Sequence, residues 1–196
     1  MLRCVIFDLD NTLVNSDLDF RKIRDEIGTA MTILEYRATA SDDEKRRVDA
    51  ILDRHESAAA ESCDLRDGAP ELFAYLKTAG VRMALLTRNS RRSVETICRR
   101  LGMAFDMIVS REDSEPKPSP QPVRMILERL GCAADEAIMV GDYLYDVQAA
   151  QSAGVSAILL DGPHRSSFTA QADHEATRLR QTLHIIRGIV EEEETK

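Results

Sequence analysis

From residue 69 onward, short apolar runs alternate with helical stripes, and that alternation leaves few folds open to the chain. Residues 4–7, 81–86, 105–109, 137–140 and 155–160 are predominantly apolar and give way to turn residues, the pattern of buried strands. Between them, Val94, Ile97, Cys98 and Leu101 precede Gly102, and Val123, Ile126, Leu127 and Leu130 precede Gly131. Both sets follow the i, i+3, i+4, i+7 spacing of a core-facing helix closed by glycine. Pro70, inside a helix that ends at Gly80, and Ser119 ahead of Pro120 supply start signals. The expected fold is therefore a Rossmann-like α/β core of three layers, a parallel sheet covered by helices on both faces.

The alternation is interrupted directly after the first strand. Residues 15–67 turn charged and helical and offer no strand. The spacing predicts one helix over 17–38 with Ile23, Ile27, Met31 and Leu34 on its inner face. A second helix begins at Ser41, whose capping box with Glu44 precedes the buried stripe Val48, Ile51 and Leu52. Two such helices make a hairpin able to cover one end of the sheet, not a separately stable domain. The expected organisation is a core of residues 1–14 and 68–196 with a helical cap of residues 15–67.

A length of 196 residues suits one domain with such an insertion. The net charge of -8, without a basic stripe, argues against nucleic acid as a partner. The apolar run at 4–7 is too short for a signal peptide or a membrane span, so a cytoplasmic protein with no membrane partner is expected, as monomer or homodimer. Cys4, Cys63, Cys98 and Cys132 are widely spaced and form no CxxC pair, which makes them reduced, structural thiols. After residue 166 the pattern predicts only a helix near 179–190, followed by a frayed acidic tail at 191–194.

Chemistry-bearing residues gather at the strand ends. Asp8 and Asp10 follow the first strand, and the ends of strands are where open α/β sheets hold their ligands. Thr87, Arg88 and Asn89 follow the next core strand and lead to a helix starting near Ser90, offering a hydroxyl and backbone N–H groups. Lys117 stands between Pro116 and Pro118, which stiffen its loop. Asp142 ends a further strand, and Asp146, four residues on, lies on the same face of the helix that follows. Each signal alone also fits a turn, an N-cap or a surface loop. Together and in this order they point to chemistry.

In that order Asp8-Leu9-Asp10-Asn11-Thr12, Leu85-Leu86-Thr87-Arg88-Asn89, Lys117-Pro118 and Gly141-Asp142-Tyr143-Leu144-Tyr145-Asp146 resemble the four motifs of the haloacid dehalogenase superfamily. The match spans 1–14 and 69–160, and the placing of the insertion resembles the group that includes phosphoglycolate phosphatases. The resemblance implies a HAD-like fold with the first, second and fourth motifs on neighbouring strands, so that Asp8, Thr87, Lys117 and Asp142 converge. It implies a phosphoric monoester hydrolase acting on a small phosphorylated metabolite, phosphoglycolate-like or a sugar phosphate. Asn11 stands where family members frequently have Gly.

A phosphate monoester is inert, so a nucleophile must be held in line and the charge on the equatorial oxygens neutralised. Asp8 is the expected nucleophile, with Asp8 and Asp142 as side-chain ligands of Mg²⁺, a hard cation suited to carboxylate and substrate oxygens. The resemblance adds the backbone carbonyl of Asp10 as a ligand and Asp146 as an acid holding metal-bound water. Thr87, Lys117, the Arg88 N–H and Asn89 are expected to bind phosphoryl oxygens, a role worth about 3 kcal/mol per donor. Asp10 is left to protonate the leaving alcohol and then to activate water.

Alternatives remain open: a phosphomutase of the same superfamily, or a catalytically silent phosphate-binding or signalling protein. A receiver domain fits less well, since its phosphoacceptor belongs on the third strand. His55 and His164 could approach a substrate, but structural or solvent-facing roles are expected. Arg91, Arg92, Arg99 and Arg100 are expected to form one solvated helix face. Specificity is expected from inserted side chains such as Arg21, Arg24 or Arg37.

Overall fold

A computed structural model describes residues 1–161 and 172–194 of the chain, without the side chains of 192–194. By internal contacts it divides into two units, residues 1–15, 65–88 and 104–196, and residues 16–64 and 89–103.

The first unit is built on a parallel six-stranded sheet in the order β5-β4-β1-β6-β7-β8. Its strands are β1 (Cys4–Phe7), β4 (Arg82–Leu86), β5 (Met107–Val109), β6 (Ala137–Gly141), β7 (Ser156–Leu160) and β8 (His174–Ala176). Two further strands of two residues each, β2 (Val14–Asn15) and β3 (Asp64–Leu65), stand where the chain leaves and re-enters this unit. There the Arg66 amide donates to the Leu13 carbonyl at 2.9 Å. The stretch expected to hold no strand thus contains β3, too short to leave a period in the sequence.

Strand alternation sorts the apolar residues onto two faces. Cys4 and Ile6 of β1 join Met139 of β6 and the inner stripes of α6 (Gln121–Leu130) and α7 (Leu144–Ser152) in one core. Phe7, on the opposite pleat, stacks edge-on against Phe73 of α4 (Ala69–Thr78), ring centres 6.0 Å apart, and Phe73 meets Phe105 in the same way. The expected three-layer α/β architecture is the observed one. The helix α8 (Leu179–Glu194) lies where the late apolar pattern put it, whereas β8, three residues long and parallel to β7, was not anticipated. Gly102 and Gly131 close their helices in the left-handed conformation.

The second unit holds α1 (Phe20–Ile27), α2 (Ile33–Thr39), α3 (Asp42–Ser62) and α5 (Arg91–Leu101). Where one helix was expected over 17–38 there are two. Gly28 takes φ 81° and its amide bonds back to the Arg24 carbonyl, a helix stop that an unbroken apolar period conceals. Met31, expected inside, is consequently 47% exposed, and Ile33 joins Ile23, Ile27, Val48, Ile51 and Leu52 in the small core. The second expected helix starts as read, with the Ser41 hydroxyl accepting from the Glu44 amide.

The arginines of α5 do not share one role. Arg100 Nε donates to the Ala60 carbonyl at 3.0 Å, and its terminal nitrogen donates to the Cys63 carbonyl, at the end of α3. A cation is there well placed to satisfy carbonyls that the last helical turn leaves open. Arg37 is likewise committed, to Asp49 at 2.5 and 2.8 Å, and His55 Nε2 lies 2.9 Å from Glu26 Oε2, a structural pairing as expected. His164 lies outside the described residues. Arg100→Ala should cost about 1–2 kcal/mol, while exposed Arg99→Ala should stay within about 0.5 kcal/mol, by urea unfolding of both variants.

Candidate active site

The site is assembled from the C-terminal ends of three adjacent strands. Phe7, the last residue of β1, is in register with Leu85 of β4 on one side and Val140 of β6 on the other. From β1 the chain steps outward through β4 and β5, then returns to β1's other side as β6, so the sheet order reverses between β1 and β6. Such a switch point opens a crevice at the strand ends. Asp8 and Asp142 stand at its two lips, each one residue beyond its strand.

The backbone fixes both. The Asp8 amide donates to the Val140 carbonyl at 2.9 Å. After it the chain turns sharply: the Leu9 carbonyl accepts from the amides of Thr12, Leu13 and Val14 at 3.3, 2.9 and 3.1 Å. Asn11, at φ 57°, occupies the left-handed region within this turn, which explains why Gly suits the position and Asn tolerates it. The turn leaves Asp10 partly exposed and swings Thr12 into the interior, where its Oγ1 donates to Asp142 Oδ1 at 3.4 Å.

Lys117 is 2% exposed and lies at the centre of the cluster. Its ammonium donates to Asp8 Oδ1 at 2.5 Å and to the Leu86 carbonyl at 2.9 Å, and Asp146 Oδ1 lies 2.6 Å away. Three protons thus meet three oxygens. Burial pulls the Lys117 pKa down, but Asp146 and Asp8 outweigh it and leave it raised to about 12. The other Asp146 oxygen, Oδ2, accepts from the Tyr143 amide at 3.0 Å.

Asp8, Asp142 and Asp146 offer carboxylate oxygens all within 4.8 Å of one another, and all three are buried. One ammonium does not neutralise them. Burial, with the charges of Asp8 and Asp146 added, pushes Asp142 up to about 8 despite Lys117. Burial also raises Asp146 to about 6; Lys117 opposes the rise and Asp8 adds to it. An all-oxygen donor set with surplus negative charge, out of water, fits a hard divalent cation.

The remaining expected residues fall as follows. Thr87 is buried, its amide bonded to the Val109 carbonyl at 3.0 Å, and Arg88 is half-buried. Both belong to the first unit, whereas Asn89, also buried, belongs to the second. The structure brings Asp8, Lys117, Asp142 and Asp146 together. Sequence reading missed two contributors. One is Thr12, whose adjacency to the acidic motif was the available signal. The other is Gly141, where an added Cβ would sit 2.3 Å from the Asp146 carboxylate. A groove of about 540 Å³ along β5, lined by Met107, Val109, Met125 and Leu130 among others, includes none of these residues.

Comparison with known proteins places this geometry. The sequence profile described as haloacid dehalogenase-like hydrolase matches residues 18–160. The chain belongs to that family. A phosphoglycolate phosphatase of Pseudomonas aeruginosa is 31% identical over 182 residues, covering 78% of this chain and 67% of the relative. A pyrophosphatase, PpaX, of Bacillus velezensis is 36% identical over 121 residues, 59% of this chain and 56% of the relative. Among solved structures, CbbY of Rhodobacter sphaeroides in complex with phosphate is 26% identical, with a TM-score of 0.71 over 91% of this chain and 95% of that one. This haloacid dehalogenase-like chain is thus an enzyme of the phosphoric monoester hydrolase class that the four motifs implied. Among the described residues no helix is long and apolar enough to cross a membrane.

Two outcomes are expected from the cluster. Gly141→Ala forces Asp146 off its bonds to Lys117 and Tyr143, so thermal unfolding should show a loss of about 1–3 kcal/mol and activity should fall with it. In chelator, the folded state holds protons on Asp142 and Asp146 that the unfolded state, with carboxylate pKa values near 4, releases. The cluster's stability is greatest below about pH 4 and is lost as pH rises through about 6 and about 8. The midpoint of thermal unfolding should therefore drop between pH 5 and pH 8 in wild type, and much less in Asp142→Asn.

Proposed function

We propose that this chain is a Mg²⁺-dependent phosphatase that hydrolyses a small phosphorylated metabolite through a phospho-aspartate on Asp8. The observation that carries the reading is the Asp8 carboxylate, buried at the switch point within hydrogen-bonding reach of the Lys117 ammonium and beside two further carboxylates. The phosphatase relatives, and the phosphate bound to CbbY, support the same chemistry.

Asp8 attacks phosphorus in line. Lys117 and the Thr87 hydroxyl, with the Arg88 amide and Asn89, hold the equatorial oxygens as preorganised donors. Asp10, partly exposed at the mouth, donates a proton to the leaving alcohol and then takes one from the water that opens phospho-Asp8. Asp8, Asp142 and the Asp10 carbonyl, with Asp146 behind them, would hold Mg²⁺, which supplies Lewis-acid neutralisation of phosphate charge. The substrate is phosphoglycolate-like or a sugar phosphate. Residues 15–67 serve as a cap on the core formed by 1–14 and 68–196, and the enzyme works in the cytoplasm.

Trapping separates the two acids of the first motif. Mixed with an aryl phosphate whose leaving group needs no proton, Asp8→Asn should give no phosphoenzyme, because an amide is too weak a nucleophile. Asp10→Asn should accumulate it, because the second step lacks its base. Acid-quench mass spectrometry with peptide mapping reads both, and label on Asp10 in the Asp8→Asn protein would reverse the assignment.

A further inference from the structure

The inner stripe of α3 carries one residue that a hydrophobic core does not call for. Val48, Leu52, Ala59 and Ala60 keep the apolar spacing, yet the buried position four residues after Leu52 is Glu56, 3% exposed. A carboxyl group out of water costs stability unless hydrogen bonds meet it. Here Oε2 accepts from the Ser90 amide at 3.0 Å, and the Glu56 backbone carbonyl accepts from the Ser93 hydroxyl at 3.4 Å. Both bonds lie within the second unit, which holds α3 together with residues 89–103.

Starting α5 does not require the carboxylate. The Ser90 hydroxyl already caps that helix by accepting from the Ser93 amide at 3.4 Å, and Ser90 has the extended backbone usual for such a cap, φ −66° and ψ 150°. The amide that Glu56 holds belongs to the peptide group joining Asn89 to Ser90. Because a peptide group is planar, a bond to its N–H orients the whole plane, and with it the rotation about the Asn89 Cα–C bond. Asn89 is buried and carries one of the side chains that the proposed mechanism sets on an equatorial oxygen. A carboxamide is a short, neutral donor, so its value to a transition state depends on direction, and a misplacement of about 1 Å can cost on the order of 100-fold in rate.

We propose that Glu56 is a positioning residue for phosphoryl transfer: through the Ser90 amide it sets the peptide plane after Asn89 and so aims the Asn89 side chain. This rests on the phosphatase reading and on the role that reading gives Asn89. The helical insertion then serves the chemistry through a carboxylate that does not itself touch substrate.

The test is a double-mutant cycle on the hydrolysis of 4-nitrophenyl phosphate in Mg²⁺, run well below the unfolding midpoint measured for each variant. Asn89→Ala should lower kcat by about 10–100-fold. Glu56→Ala should lower kcat by about 5–30-fold with KM little changed, and by less than about 2-fold when Asn89 is already alanine. Glu56→Gln, whose side-chain oxygen can still accept from Ser90, should return kcat to within about 3-fold of wild type. A merely structural Glu56 would lower the unfolding midpoint without making the kinetic effect depend on Asn89. Should Glu56→Ala not fold, Glu56→Asp, which draws the carboxylate back by one methylene, takes its place in the cycle, with the same dependence on Asn89 expected. Equal losses of kcat with and without Asn89, a glutamine variant no better than the alanine one, or either single variant within about 2-fold of wild type would overturn the proposal and leave the phosphatase intact. Failure of wild type to turn over 4-nitrophenyl phosphate in Mg²⁺ would instead remove the phosphatase reading, and this proposal with it.

Discussion

Every group in the site takes its position from β1, a four-residue strand with no exposed atoms on either face and a hydrogen-bonded partner on each side. A strand so enclosed cannot shift register by one residue without turning Phe7 and Val5 onto the face built for Ile6 and Cys4. The register fixes Asp8 one step beyond Phe7, between the ends of β4 and β6. Fixing Asp8 in turn fixes where Lys117, Leu86 and Asp146 must meet.

The electrostatics follow from that crowding. Three carboxylates are held out of water within 4.8 Å of one another, and a single ammonium spans two of them. Such a cluster costs stability unless further positive charge arrives. The raised carboxylate pKa values of Asp142 and Asp146 express that cost, the pattern found where charged groups gather at functional sites. Gly141 is part of the arrangement, since only the absence of a side chain lets Asp146 lie against the end of β6.

The ordered strand–helix alternation, the glycine stops and the four motif positions were legible before any coordinates, because each depends on local periodicity or on residue types at short spacing. Gly28 shows where that reading thinned. The apolar period runs on through Ile23, Ile27 and Met31, and one left-handed glycine ended the helix and left Met31 in water. β3 and β8, of two and three residues, are too short to carry a period of their own. Arg100 looked like one of four solvated cations; the Ala60 and Cys63 carbonyls it caps are about forty residues away in sequence, which no local pattern reveals.

By itself the sequence determined the α/β class and the family, and it singled out Asp8, Asp10, Thr87, Lys117, Asp142 and Asp146 as candidates, because strand ends and their turn chemistry are written in consecutive residues. Only the tertiary structure decided what each of those residues faces. That Lys117 lies between Asp8 and Asp146, that Thr12 reaches Asp142, and that Arg88 rests on Tyr145 depend on contacts spanning from 29 to 130 residues of chain. Contacts of that range are set by sheet order and packing. The physical reason is that a side chain's charge state and direction come from the neighbours folding supplies, and those neighbours are remote in sequence.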